Sequence, residues 1–182
     1  MKTLLLSTIL LFTLNSYSQD VTIPDANFKA LLVADNAINT NADNEIQVAE
    51  ANAYTGLINC SGLGISDLTG IEAFTALTYL LCFDNQLTSL DVSGATALTD
   101  LYCFDNQLTS LDVSGATALT DLYCFDNQLT SLDVSSNTAL TYLYCDDNQL
   151  QCLNANNGQN FSSFSCISNQ LSCVSVSDVT YA

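Results

Sequence analysis

The sequence predicts a solenoid: short strands stack into one parallel sheet, extended or 3₁₀ segments form the opposite face, and a small helical cap closes the N-terminal end. Three observations predict it. The block LTSLDVSGATALTDLYCFDNQ fills residues 87–107 and then, unchanged, residues 108–128. Apolar residues recur at the same 21-residue period across residues 57–176, in columns such as Leu80, Leu101, Leu122 and Leu143. Within each period a short stretch alternates inward and outward residues, the signature of a strand. A unit of this size buries nothing alone, so equal units must stack in register to make a core. That explains how a perfect copy is tolerated: it adds one more coil.

The N-terminus, MKTLLLSTILLFTLNSYSQD, has Lys2, an apolar run from Leu4 to Leu14, then small and polar residues. Residues 1–18 therefore read as a secretory signal peptide, cleaved near Ser18/Gln19 and too short to span a membrane. A buried N-terminal strand is the other reading of the run. No cysteine stands at the cleavage point, so a lipid anchor is not expected, and no later stretch is apolar enough for membrane insertion. The expected location is secreted or cell-surface.

Charge narrows the partners. The chain holds 19 acids against two bases, a formal net charge of −17. Removing residues 1–18 takes Lys2 and no acid, leaving 19 acids against Lys29 and a charge of −18. Such a surface repels nucleic acid and anionic lipid and favours cationic partners or divalent cations. There is no histidine, so the usual proton shuttle near pH 7 and the commonest metal ligand are missing.

Residues 19–56 lack the repeat and read as the cap. Pro24 and Asp25 start a short helix whose apolar residues are Phe28, Leu31 and Leu32. The following NTNADNEIQVAE resembles a degenerate EF-hand or dockerin-like calcium loop. Its candidate ligands are Asn39, Asn41, Asp43, the backbone carbonyl of Glu45, and Glu50. The pattern departs at its first position, where Asn39 replaces aspartate, and at Asn44, which replaces the glycine of the turn. No cofactor is required by the sequence, and calcium is the one this loop could hold; a purely structural cap is the other reading.

The coils follow from residue 57. Their pattern, LxxLxCxxNxLxxLDVSxxTA, combines the columns of Leu77, Leu80, Cys82, Asn85, Leu87 and Leu90 with their counterparts 21 residues on. It resembles the leucine-rich repeat, and ISDLTGIEAFTALTYL resembles an internalin-type coil. The resemblance implies a leucine-rich-repeat solenoid over residues 57–182, about six coils of 21–22 residues, from a bacterial secreted protein; a Gram-negative source is expected. In each coil Leu80 and Cys82 point inward, while Tyr79, Leu81 and Phe83 point outward. Each asparagine turns the chain out of the strand, its buried amide bonding the bend and the neighbouring coil. A coil of this length leaves too little chain for a full helix, so LDVSGATA runs extended or as a 3₁₀ turn, capped by Asp91, Asp112 and Asp133 or by the serine after each.

Six cysteines, Cys60, Cys82, Cys103, Cys124, Cys145 and Cys166, share one inward column. They read as buried thiols acting as small apolar residues. In-register side chains on adjacent coils point the same way, which fits a disulfide poorly. Cys152 and Cys173 form a second column, in place of Ser89, Ser110 and Ser131, where a bridge stays open. One column does not make a metal tetrahedron, and without histidine a catalytic thiol lacks its base.

Function is sought on the outward strand face. Its columns are Tyr79, Asp100, Asp121, Tyr142; then Leu81, Tyr102, Tyr123, Tyr144; then Phe83, Phe104, Phe125, Asp146; and a rim of Asp84, Asp105, Asp126, Asp147. The candidate ligand-binding residues are Tyr79, Tyr102, Phe104, Asp105, Tyr123, Phe125, Asp126, Tyr142 and Tyr144. Aromatics rimmed by acids suit a recognition surface for a protein or glycan ligand; mutual stacking that only stabilises the sheet is the other reading. Carboxylates recur on every coil without one unique constellation, so no enzyme is expected. The sequence thus predicts a monomeric binding or adhesion module, the alternative being a structural surface or matrix spacer. The chain stops at Ala182 without the sorting domain that such secreted proteins often carry, which leaves a truncated sequence or a freely released chain.

Overall fold

The computed structural model describes residues 19–176. The signal-peptide reading of residues 1–18 lies outside them. The cap comes first. Helix α1, Ala26–Ala34, starts at Asp25, whose carboxylate accepts hydrogen bonds from the backbone N–H groups of Asn27 (3.0 Å) and Phe28 (3.1 Å). Helix α2, Val48–Ala53, carries a capping box between Gln47 and Glu50. Phe28, Leu32 and Ile46 are fully buried between these elements and the first coil. Asp25 also accepts from Ser66 N, and Asn27 donates to the carbonyl of Leu63, so the cap is tied to that coil by hydrogen bonds as well as by packing.

Six short strands then stack in parallel: β1 Leu57–Asn59, β2 Tyr79–Leu81, β3 Asp100–Tyr102, β4 Asp121–Tyr123, β6 Tyr142–Tyr144 and β8 Ser163–Ser165. The register advances by one repeat at each step, pairing Leu80 with Leu101, Leu101 with Leu122, and Leu122 with Leu143. These leucines, with Leu77, Leu98, Leu119 and Leu140, are fully buried, so the columns of the sequence are the columns of the core. The inward residues of the last coil are less covered: Phe164 and Val174 are exposed.

The asparagine column does what its position predicts. Asn106 Nδ2 donates to the carbonyls of Cys103 and Phe104 in its own coil and of Cys82 in the previous one, while its Oδ1 accepts from Leu87 N. Asn85, Asn127, Asn148 and Asn169 repeat the arrangement. The residue before each asparagine adopts a left-handed backbone, with φ between 47° and 54° from Asp84 to Asp147 and 55° at Ser168. Aspartate tolerates this region better than most side chains, which gives the rim acids a backbone reason to recur.

The convex segment resolves in favour of extended chain. Ser131–Asp133 (β5), Cys152–Ala155 (β7) and Cys173–Val176 (β9) form a second parallel sheet, and Asp91 pairs with Asp112 in an isolated bridge. Among the described residues the 3₁₀ turn is confined to Ile71–Ala73 in the first coil. Asp91, Asp112 and Asp133 cap no helix; each accepts from the backbone N–H two residues on, at Ser93, Ser114 and Ser135. An extended segment wins because in-register LDV stretches lie one strand spacing apart and can satisfy each other's backbone groups.

The two cysteine columns separate. Cys60, Cys82, Cys103, Cys124 and Cys145 are buried free thiols, with Cys166 half-buried at the end of the row. Burial pushes the Cys60 thiol up to about 12 and raises those of Cys82, Cys103 and Cys124 well above the ordinary value, keeping them protonated. Cys152 and Cys173, directly paired in register with Cα atoms 4.7 Å apart, are joined by a disulfide. Thiol titration of the unfolded, unreduced protein is therefore expected to find six free thiols, and two or fewer would contradict this arrangement. Cys103→Ala should destabilise the stack by about 1–2 kcal/mol, the order of a small core deletion, as read by urea unfolding.

Candidate functional site

Period two sets which residues face outward, and the sheet brings the aromatic ones together. Phe83 and Phe104 stack with ring centroids 4.5 Å apart and planes 6° from parallel, and Phe104 and Phe125 do so at 4.4 Å and 11°. Beside them Tyr102 and Tyr123 lie 4.4 Å apart, tilted by 50°, and Tyr123 and Tyr144 stack at 4.8 Å. These rings are half-buried, whereas Tyr79 and Tyr142 are exposed. Stacking along the solenoid axis covers both faces of Phe104 and leaves its edge toward solvent.

Carboxylates line both sides of the rings. On one flank Asp100 and Asp121 are partly buried, and each Oδ2 lies 2.7 Å from the hydroxyl of the preceding residue, Thr99 or Thr120. Burial and the neighbouring Asp121 raise the Asp100 carboxyl above the ordinary aspartate value. On the other flank stand Asp84, Asp105, Asp126 and Asp147, all exposed. Burial and the charges of Asp105, Asp147 and Asp146 raise the Asp126 carboxyl. Burial raises the Tyr102 hydroxyl, with Tyr123, Asp100 and Asp121 adding to the effect.

The expected site residues therefore converge, with two refinements. Tyr102, Phe104, Asp105, Tyr123, Phe125 and Asp126 form one patch over two adjacent coils. Tyr144 is partly committed to the fold, its hydroxyl sharing a 2.5 Å hydrogen bond with Ser163 Oγ. Asp146, which interrupts the phenylalanine column, accepts from Ile167 N (2.8 Å) and the Ser165 hydroxyl and so ties down the last coil. Asp100 and Asp121 stand outside the sequence-derived candidates, although their column carried the signal: it sets these two aspartates between Tyr79 and Tyr142 on the outward face.

In the cap loop, the residues expected to hold calcium hydrogen-bond one another. Asn39 Nδ2 donates to the carbonyls of Val33 and Asp43, and Asn41 Nδ2 donates to Asp43 and to Gln47. Glu50 accepts from Thr40 N, Asn41 N and Gln47 N. Burial pushes its carboxyl up, but these bonds outweigh burial and hold it below the ordinary value. Glu45 pairs with Lys29 at 2.6 Å. Asn39 Oδ1 is buried without a hydrogen-bond partner.

No family model matches the chain. Internalin J of Listeria monocytogenes is 40% identical over 70 residues, 38% of this chain and 7% of that protein. The solved functional domain of InlJ from Listeria monocytogenes, which includes a cysteine ladder, superposes with a TM-score of 0.71 at 42% identity over 79% of this chain and 31% of that one. The chain is homologous to internalin J. Its thiol column from Cys60 to Cys166 is a cysteine ladder of its own, built at the inward strand position. Another internalin, inlF of Listeria monocytogenes, shares the fold with a TM-score of 0.53 at 20% identity over 72% of this chain and half of that one. The internalin-like chain thus spans under a tenth of the curated relative and about a third of the solved InlJ domain. These relatives come from a Gram-positive organism and lend nothing to the expectation of a Gram-negative source. No helix among the described residues is long and apolar enough to cross a membrane.

Proposed function

We propose that this chain is a secreted or surface-attached protein-binding module of the adhesion type, and that the partner docks on the outward face of the six-stranded sheet. The observation that carries this reading is the continuous patch of half-exposed rings between two rows of carboxylates. Single exposed apolar residues need no explanation, but a contiguous aromatic face on a rigid sheet is the composition of interface cores. Homology to internalin J supports binding over catalysis. Its carboxylates form a ladder rather than one catalytic constellation.

The spacer reading draws on one observation, the close stacking of Phe83, Phe104 and Phe125, which would stabilise the sheet with or without a ligand. The two readings separate in a Tyr102→Ala, Tyr123→Ala double variant, screened beside the parent on an array of extracellular proteins and glycans, with circular dichroism confirming the fold. Binders lost selectively by the variant support the module; a set of binders unchanged by it supports the spacer.

We propose further that the cap loop binds one calcium ion weakly, and Asn39 Oδ1 is what favours it: a buried oxygen at the first ligand position without a partner. Asn41, Asp43, the Glu45 carbonyl and Glu50 would complete the set. Calorimetry at millimolar calcium is expected to show one weak site that Glu50→Ala abolishes. Binding unchanged in that variant would place the ion elsewhere, and no heat in the parent would leave the loop as a structural cap.

A further inference from the structure

The strand face carries an uncompensated charge of one sign. The whole sequence contains only Lys2 and Lys29 as cations, and Lys29 is paired with Glu45 in the cap. Nothing in the repeats can therefore neutralise the two acid rows that border the rings. Carboxylates held close together without a counter-charge repel one another, and a ligand that supplies positive charge relieves that repulsion on binding.

The rings narrow the chemistry further. A sugar platform or a cation–π contact uses an open ring face. Here Phe104 has Phe83 on one face and Phe125 on the other, so it offers its edge, and beside it Tyr102 and Tyr123 lie tilted by 50° to each other. A strip of ring edges suits an aliphatic stem lying across it. Lysine and arginine carry such stems and can place their charged heads on a carboxylate beyond. The duplicated block presents this arrangement twice, as Asp100, Tyr102, Phe104 with Asp105 and, one strand spacing away, as Asp121, Tyr123, Phe125 with Asp126.

We infer that the partner is a basic polypeptide segment, whose lysine or arginine stems cross the ring edges of these two coils and whose head groups meet the flanking aspartates. This rests on the reading of the strand face as the binding surface and names the chemistry of what it binds. Each copy of the repeat then acts as one recognition unit, so the duplication extends the site as well as the scaffold.

The test uses the full chain and a fluorescent lysine-rich decapeptide, with anisotropy read at physiological salt. Asp100→Asn with Asp121→Asn removes two charges from the face. Asp91→Asn with Asp112→Asn removes two charges from the opposite side while retaining an oxygen for the turn at each serine. Tyr102→Ala with Tyr123→Ala changes no charge. The face aspartate pair and the tyrosine pair are each expected to weaken binding about tenfold or more, and the opposite pair less than about twofold. Equal losses from both aspartate pairs, with none from the tyrosine pair, would overturn the inference, because net charge alone would then explain the affinity. A neutral oligosaccharide bound in a tyrosine-dependent manner, with the decapeptide indifferent to the face, would overturn the basic partner and leave the strand face as the binding surface. Indifference of every probe to all face variants would overturn both.

Discussion

Replacing Asn127 with alanine is expected to destabilise the fold by about 3–4 kcal/mol, the sum of several buried backbone groups losing their partner. Asn127 is 8% exposed and serves both its own coil and the one before it. Its amide donates to the carbonyls of Cys103 (3.0 Å), Cys124 (3.3 Å) and Phe125 (3.2 Å), and its Oδ1 accepts from Leu108 N at 2.9 Å. Alanine supplies none of these, and the bend lies under the next coil, where water cannot replace them. Urea unfolding followed by circular dichroism reads the effect directly. A loss below about 1 kcal/mol would mean that the bend reaches solvent and that the asparagine column is not what closes the coil.

Gly115→Ala is expected to cost about 3 kcal/mol, at the upper end of core overpacking. A methyl group built there would collide with the carbonyl oxygen of Ser93 and lie 2.8 Å from its carbon, both backbone atoms of the preceding coil. Neither can swing away as a side-chain end would, so the two coils must part. Gly94 offers an internal comparison, because its added carbon would meet Glu72 O at 2.8 Å. The predicted order of melting temperatures is parent, then Gly94→Ala, then Gly115→Ala. Equal values for all three would show that the inter-coil spacing is set elsewhere.

Much of this architecture was legible because it depends on periodicity. A 21-residue recurrence of Leu80, Cys82 and Asn85 fixes the stack, the inward face and the bend without any further information. Other features turn on choices that periodicity does not make. LDVSGATA is compatible with extended or 3₁₀ chain, and what decides is the pairing of Ser131–Asp133 with Cys152–Ala155 and its continuation to Cys173–Val176. Cys152 and Cys173 share a column with serines, so only their direct register shows the bridge. The rim aspartates read as charge alone, although the positive φ of Asp84 through Asp147 gives them a backbone duty too.

The candidate site was legible to the same depth. Alternation places Tyr102, Phe104, Tyr123 and Phe125 on the outer face, where all four are half-buried and their rings touch between coils. Side-chain torsions are not set by alternation, so the sequence does not tell whether a ring offers its face or its edge. That distinction is what turns the chemistry from a sugar platform toward a basic segment. Asp146 reads in sequence only as the residue that follows Phe125 in an outward column, whereas in the structure its carboxylate secures Ser165 and Ile167. Asp100 and Asp121 gain their weight from three-dimensional proximity to the tyrosine hydroxyls of Tyr102 and Tyr123.

The most direct measurement joins fold and function in one variant: delete residues 108–128, so that Gln107 runs into Leu129 and the repeat pattern continues unbroken. Removing one coil should leave a cooperatively folding solenoid, because every remaining strand, thiol and asparagine keeps a partner of the same kind. The deletion also removes one of the two recognition units, so affinity for the lysine-rich decapeptide should fall about tenfold. A folded deletion variant that binds the decapeptide as tightly as the parent would contradict the account of the strand face, and a variant that fails to fold would contradict the account of the stack.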